Sequence, residues 1–473
     1  MISKLPLKIV GGSQFSRYPK ISRESTYNMR ISDAALVPYF GYRKIKDIRP
    51  GGSVGRSVYT SPKYQHQIAI IDNGVYTISN DFAVSLVGQL DTSTGPVFIS
   101  ENNASEIVIS ENSDNIYVFN YSDETFQKIN VGFISGYITF IDGYIVAPQV
   151  DTQQWRLSAL NNAKSFPFDS QHIGELESSP DVVVAAETLE RQLFIFGKNI
   201  TEVWLDVPTS SALFPFQRQN SLSIEYGCIS TSTIASGFHR IVWLGSNESS
   251  GPSILVSTGS TPKKISTDGI DFQLDNLKAP EDSFGFLFEE DGHIFYQINF
   301  PSDNVSYAYD FNEDKFFNIT DSQLNAHIAR RLSFFNNTHI FITDRDGGLY
   351  EMSSELDTYK ETTDKDDEGL TIPRIRIPPP SRLKDASRFI INNVNLTIEQ
   401  GYSDEQLDVH LSLSKDGAQS FGTKWSKTLN PMGKRANKLL YRKLGSANDV
   451  SFQFQFWGKD RFIVTDAEME VYQ

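Results

Sequence analysis

The sequence predicts a mainly β fold: a β-propeller-like body followed by a C-terminal antiparallel β-sandwich platform domain. Three observations carry this expectation. Aromatic residues make up 12% of the 473 positions, with 33 Phe and 20 Tyr, and such side chains suit the pleated, half-buried surface of strands. Between residues 65 and 353 a unit recurs in which a short apolar strand, a Gly, Asn or Asp turn and an aromatic-bearing strand follow one another. Beyond residue 386 the apolar residues alternate with the period of two that a half-buried strand requires.

Residues 1–64 read as a basic N-terminal segment that joins the platform and leads into the first blade. Residues 65–356 form the body. Its first hairpin is Ile68-Ala69-Ile70-Ile71, the turn Asp72-Asn73-Gly74 and Val75-Tyr76-Thr77-Ile78, with Asn-Gly expected to supply the positive φ angles. Further units begin at Ile107, Tyr137, Leu193, Ile241, Ile294 and His339. Their spacing of roughly 30 to 55 residues brackets the ~40–50 of a four-stranded propeller blade, so six or seven blades fit. The competing arrangement is a large sandwich or several small sheets, because the repeat has no fixed signature. Short helices are expected at Asp181 to Leu189 and Ser322 to Arg331. Residues 357–385 read as an acidic and Pro-rich linker, and residues 386–473 as the sandwich, with Phe452, Phe454 and Phe456 on one strand face.

The net charge of −15 is unevenly spread. Residues 1–64 carry 12 Lys/Arg against 3 Asp/Glu, residues 381–473 carry 13 against 11, and the 18 against 44 between them leave a middle of −26. An acidic body repels a phosphate backbone, which argues against ordinary DNA binding by residues 65–380. The basic N-terminal segment suits an acidic partner, the alternative being a solvated basic face. Cys228 is the only cysteine, which excludes an intrachain disulfide and a multi-cysteine zinc site and fits assembly in a reducing cytoplasm. Met1 to Leu7 lacks the apolar run of a signal peptide, and runs such as Val182 to Ala186 are too short to span a bilayer, so no membrane insertion is expected.

Motifs with chemical overtones read as turns. Gly51-Gly52-Ser53-Val54-Gly55 matches the pattern of a hydrolase nucleophile, but that chemistry needs a helix after the serine and Arg56 to Thr60 reads as a strand. The same stretch falls short of a phosphate loop. Asp344-Arg345-Asp346-Gly347 lacks the further acidic ligands of a calcium loop. Ser414 to Phe421 is close to an Asp-box, with the Gly one residue early and Phe for Trp. The seven His are dispersed without metal-ligand spacing. No cofactor, metal or catalytic residue is assigned.

Two terminal regions resemble the packaged-DNA stabilisation proteins, or tail hub (nozzle) proteins, of short-tailed bacteriophages. The N-terminal match runs through Leu5-Pro6-Leu7, Tyr27-Asn28-Met29, Gly41-Tyr42 and Gly55-Arg56 to Gly74-Val75-Tyr76. The C-terminal match runs through Leu411 to Gly417, Tyr441 to Gly445, Phe452-x-Phe454-x-Phe456 and Glu470-Val471-Tyr472. The resemblance implies a non-enzymatic virion tail protein, assembled in the host cytoplasm into a hexameric ring below the portal and adaptor rings. Such a ring surrounds the DNA exit channel, retains packaged DNA, gives DNA transient passage at ejection, and contacts a tail plug or needle and tailspikes or fibres. Arg43, Lys44, Lys46, Arg49 and Arg56, with Lys434, Arg435, Arg442 and Lys443, are the basic side chains chosen for ring or partner contacts. The rival readings are a propeller enzyme cleaving glycans with two carboxylates, and a peptide-binding cytoplasmic scaffold.

Overall fold

The computed structural model describes residues 2–17, 24–207, 214–259, 261–399, 407–429, 436–459 and 461–472. Nearly every element is a strand. Seven antiparallel units of four strands follow one another around a ring, with inner strands Gly55–Thr60, Phe98–Glu101, Thr139–Ile141, Val183–Leu189, Ala235–Gly237, Phe284–Glu290 and Ala329–Phe335. Each inner strand packs against the next, and Ala329–Phe335 packs back on Gly55–Thr60, so the ring closes as a propeller of seven blades. Radial closure of this kind leaves only short, protected edges.

The last blade is completed from the other end of the sequence. Gly41–Asp47 runs antiparallel to Gly348–Ser353, pairing from Gly41↔Ser353 to Asp47↔Gly348 with a bulge at Ile45. Tyr42 on this strand is fully buried and stacks on Tyr359 at 4.2 Å and 13°. Gly41 is required there, because a Cβ would stand 2.4 Å from the Leu356 carbonyl oxygen. Between blades the core is aromatic: Trp155 meets Trp204 edge-on at 5.3 Å, and Trp243 meets Phe196 at 5.4 Å while donating its indole N–H to the Gly227 carbonyl at 3.1 Å.

The sandwich consists of two sheets over one core containing Val394, Leu396, Phe452, Phe454, Phe456 and Met469. One sheet contains Ile2–Leu7, Met29–Ser32, Ala35–Pro38, Phe389–Glu399, Ala436–Arg442, Ser446–Ala447 and Ile463–Tyr472. The other is not separate from the propeller. Ser25–Tyr27 pairs with Lys315–Asn318, the outer strand of the sixth blade, and also with Arg374–Ile377, which leads through Asp449–Trp457 and Leu407–Ser414 to Trp425–Leu429. One ten-stranded sheet therefore runs from propeller to sandwich.

Two buried polar side chains hold this joint. Arg376 is fully buried and donates to the carbonyls of Lys8 (2.7 Å), Ile9 (2.7 Å) and Gly12 (3.0 Å), to Thr26 Oγ1 (3.0 Å) and to Glu24 Oε1 (2.5 Å). Asn28, buried at φ +52°, donates to Thr320 Oγ1 and the Pro373 carbonyl, and accepts from the Thr320 N–H at 2.8 Å.

Three local expectations are corrected. Asp181 to Leu189 holds no helix: Val183–Leu189 is the inner strand of the fourth blade. Its Val182-Val183-Val184 run favours strand, and the Asp181 carboxylate caps the N–H groups of Asn199 (2.7 Å) and Ile200 (3.1 Å) across the blade. Ser322 to Arg331 is likewise not helical. Asp321 Oδ1 accepts from the N–H groups of Gln323 and Asn325 and holds a turn into the strand Ala329–Phe335. In the hairpin after Ile71 the left-handed residue is Asp72, at φ +50°, rather than the Asn73-Gly74 pair. The one α-helix among the described residues is Asp268–Leu274, capped by Thr267, which accepts from the Ile270 N–H.

Glu290 ties the sixth blade to the seventh. Its carboxylate lies 3.2 Å from His339 Nε2 and accepts from the Ser354 N–H at 2.8 Å. Burial alone would raise its pKa, but the hydrogen bonds from His339 and Ser354 outweigh that and hold it at about 2 against an ordinary 4.5. A depressed carboxylate contributes stability above its unfolded-state pKa and loses it as pH falls through the folded value. Glu290→Gln is expected to flatten the acid arm of the stability curve between about pH 4.5 and 2 by on the order of 1–2 kcal/mol after solvent screening, measured by urea unfolding across pH. Arg376→Met leaves Glu24 and three carbonyls without their donor, and is expected to lower unfolding free energy by roughly 3–5 kcal/mol at neutral pH.

Candidate assembly interface and central channel

Inner strands of all seven blades converge on a central cavity of about 320 Å³, lined among others by Tyr59, Tyr137, Glu187, Ser236 and Arg331. Register shifts between Gly55 and Ser57, Val183 and Ala185, and Ala329 and Arg331 interrupt three of these strands, as β-bulges do where side chains are re-aimed. Glu187 accepts from Tyr137 Oη at 2.5 Å, from Thr139 Oγ1 at 3.2 Å and from the Thr188 N–H at 2.7 Å. Burial still pushes its carboxyl above the ordinary range. Arg331 donates to the Gly285 carbonyl at 3.0 Å, and burial lowers its pKa. Glu187 is the only carboxylate among the lining residues, so this cavity lacks the facing pair that glycoside hydrolysis uses. It also cannot pass a DNA duplex, whose major groove alone is ~12 Å wide.

The other motifs are occupied as turns. Ser53 Oγ donates to Asp72 Oδ1 at 2.9 Å, and Gly55–Thr60 continues as a strand, so the serine does not sit on a strand-to-helix elbow. Asp346 accepts from the Gly348 N–H, Tyr350 Oη and Lys44 Nζ. Asp416 accepts from Ser414 Oγ, Ser420 Oγ and backbone N–H groups of the Gln419-Ser420 turn, and these hydrogen bonds hold it far below the usual carboxylate range. Among the described residues no group of three or more His, Cys, Asp or Glu is arranged to hold a metal.

The nine basic residues chosen from the sequence have different fates. Arg56 is buried and spends all five donors within the chain, on the carbonyls of Asp72, Thr92, Thr94 and Gly95 and on Thr92 Oγ1, where it fastens the first blade to the second. It has no donor left for a partner. Lys44 is nearly covered and lies 2.5 Å from Asp47 and 2.9 Å from Asp346; burial opposes its charge, but the two hydrogen bonds prevail and raise its pKa. Arg43 is exposed beside Glu351 at 2.7 Å, Lys46 donates to the Phe82 carbonyl, and Arg49 donates to Asn73 Oδ1. Arg442 and Lys443 are exposed at the end of a sandwich strand. Lys434 and Arg435 lie outside the described residues.

Arg43 and Lys44 line a surface groove of about 530 Å³ whose other cations, Lys360 and Lys365, were not among the nine. The sequence hides them in a net-acidic stretch. Thr358–Lys360 pairs in parallel with Gly41–Asp47, which sets Lys360 opposite Arg43. The groove also carries Glu351, Phe82 and Thr338.

Comparison with known proteins gives a consistent frame. The family model described as bacteriophage P22 Gp10, beta-propeller, matches residues 16–357, and that described as bacteriophage P22 Gp10, beta-sandwich, matches residues 382–472. No curated protein matches the sequence. Among solved structures, the WD40 propeller domain of Doa1 is 9% identical, covering 67% of this chain and 98% of its own at a TM-score of 0.44. A virginiamycin B lyase from Staphylococcus aureus is 10% identical, with coverages of 66% and 99% and a TM-score of 0.47. Nothing about this chain's chemistry follows from likenesses so slight. The two family matches, in order and spanning most of the sequence, place the chain in the bacteriophage P22 Gp10 family of phage structural tail proteins.

Proposed function

We propose that the chain is a tail hub, or nozzle, subunit of a short-tailed phage: copies form a hexameric ring below the portal and adaptor, retain the packaged genome and surround the path of ejection. The observation that carries this reading is the pairing of both family domains with a single continuous sheet, which gives each subunit a propeller body fixed to a sandwich platform. In this reading residues 65–356 are the body, residues 386–473 the platform and residues 357–385 the joint between them.

DNA passes between subunits, because the cavity of a single propeller is far too small for it. A body of net charge −26 over residues 65–380 presents the duplex with a wall of its own sign, which favours sliding over capture. The subunits act mechanically, holding a plug or needle below the head and supporting tailspikes or fibres. The protein needs no cofactor for this, is assembled in the host cytoplasm and resides in the virion tail. The groove of Arg43, Lys44, Lys360 and Lys365 is the basic face that meets an acidic neighbour.

Electron microscopy of particles lacking the gene tests the reading. DNA-empty heads with truncated tails are expected; full heads on intact tails would refute it and direct attention to a glycan-cleavage assay. Arg43→Glu combined with Lys365→Glu is expected to cut incorporation into particles by about tenfold or more without lowering the melting temperature of the purified chain, since exposed charges contribute little to folding.

A further inference from the structure

The end of the sandwich remote from the propeller is both basic and apolar. Pairings at the near end are Arg374↔Phe456 and Leu36↔Val464, so the opposite ends of the same strands are remote from it. At that remote end Ile390 pairs with Tyr472 and with Ser446, and Arg382 pairs with Asp449. Ile390 is 56% exposed and Tyr472 38% exposed, side by side. On the same strand ends and the turns beside them are Arg382, Lys384, Arg388, Arg442 and Lys443, all exposed, with Asp385, Asp449 and Glu470 as acidic neighbours. Arg442 and Lys443 have no side-chain partner among the described residues, and Lys443, at φ +61°, sits on the corner after the strand.

The propeller carries a surface of the opposite sign with its own exposed rings. A cavity of about 470 Å³ is lined by Phe238, Phe288, Phe334, Glu289, Glu290 and Asp291. Phe334 is 57% exposed and Phe238 38% exposed. Phe238 and His239 both adopt left-handed backbone, φ +50° and +57°, a costly conformation for a bulky residue, and the turn they form carries Phe238 to the rim. Glu290 and Asp291 are engaged by His339, Ser354 and Arg30. Glu289 is exposed and makes no side-chain hydrogen bond or ion pair among the described residues. Carboxylates beside exposed aromatic faces suit an Arg or Lys side chain, by charge and by cation–π attraction.

We propose that the basic sandwich tip of one copy docks into this acidic, aromatic pocket of a second copy. Neither patch can pair with itself, because like charges would face one another across a two-fold axis. The contact is therefore head-to-tail, the type that closes into rings rather than dimers. The occupant is a second copy because one chain supplies both surfaces, and each sets exposed apolar groups beside charge of opposite sign without a side-chain partner among the described residues, Arg442 and Lys443 on the tip and Glu289 in the pocket. The basic groove fits the pocket less well, since Arg43 and Lys44 are already paired with Glu351, Asp47 and Asp346. This inference rests on the ring reading and specifies the contact that makes the ring.

Cysteine pairing tests it in assembled particles. The native Cys228 is buried, so engineered thiols at the surface report with little background. Lys443→Cys with Glu289→Cys is expected to give disulfide-linked multimers of the subunit, whereas Lys443→Cys with Asp151→Cys is not. Particles that contain the ring but give no Lys443–Glu289 cross-link would overturn the docking and leave the ring intact; particles that retain DNA without any ring of this subunit would overturn both. Charge exchange guards against a misfolded variant. Arg442→Glu with Lys443→Glu is expected to weaken self-association by at least about tenfold, and adding Glu289→Lys to restore part of it. Unchanged association in the double reversal, with a normal melting curve, would also overturn the docking.

Discussion

A buried guanidinium holds the two halves of the molecule together. Arg376 comes from the strand that links the sandwich to the outer edge of the sixth blade, and its donors reach back to backbone carbonyls of residues 8, 9 and 12 and to Thr26 and Glu24. A charge removed from water is tolerated only when its hydrogen-bonding capacity is met, and the geometry that meets it fixes the path of the N-terminal segment. Once that path is fixed, Ser25–Tyr27 can bridge the two parts of the sheet, Asn28 can bind Thr320 and Pro373, and Gly41–Asp47 arrives in register with the last blade. The platform's orientation is thus a property of the fold, with little left to a flexible tether.

Much of the architecture was legible because β periodicity and turn chemistry are local. Alternation in Phe452-x-Phe454-x-Phe456 announced a strand with one buried face, and all three Phe are fully buried. The body's hairpins were legible for the same reason, although each unit found in the sequence starts on an inner or second strand without distinguishing them. The closure of the seventh blade was not legible. Tyr42 and Tyr359 stack across more than 300 residues of sequence, and no local pattern encodes such a pairing. The helix errors have a similar origin. Asp181 and Asp321 stand at the heads of the two stretches, but the N–H groups they satisfy belong to turns between strands, at Asn199-Ile200 and at Gln323 to Asn325.

The basic residues show the limit more sharply. Composition identified the N-terminal segment as cationic, yet composition cannot separate Arg56, whose donors are all consumed between two blades, from Arg43, which stays on the surface. It also concealed Lys360 and Lys365 inside an acidic stretch, because only the parallel pairing of Thr358–Lys360 with the N-terminal strand brings them beside Arg43. Surface charge is a three-dimensional quantity, and segment sums describe it only when a segment folds on itself.

Closing the propeller with an N-terminal strand also imposes an order in time. Residues 41–47 leave the ribosome first, and their partners at 348–353 follow some 300 residues later. At ~5–20 residues per second that interval lasts ~15–60 s, during which the first blade lacks its neighbour and the closing strand has an open edge. Blades can form one by one as their hairpins emerge, but the ring cannot lock until translation has passed the seventh. Premature assembly is thereby limited: a truncated chain retains an unpaired strand in place of a finished propeller, and only a complete one offers the rigid body that a ring can be built from.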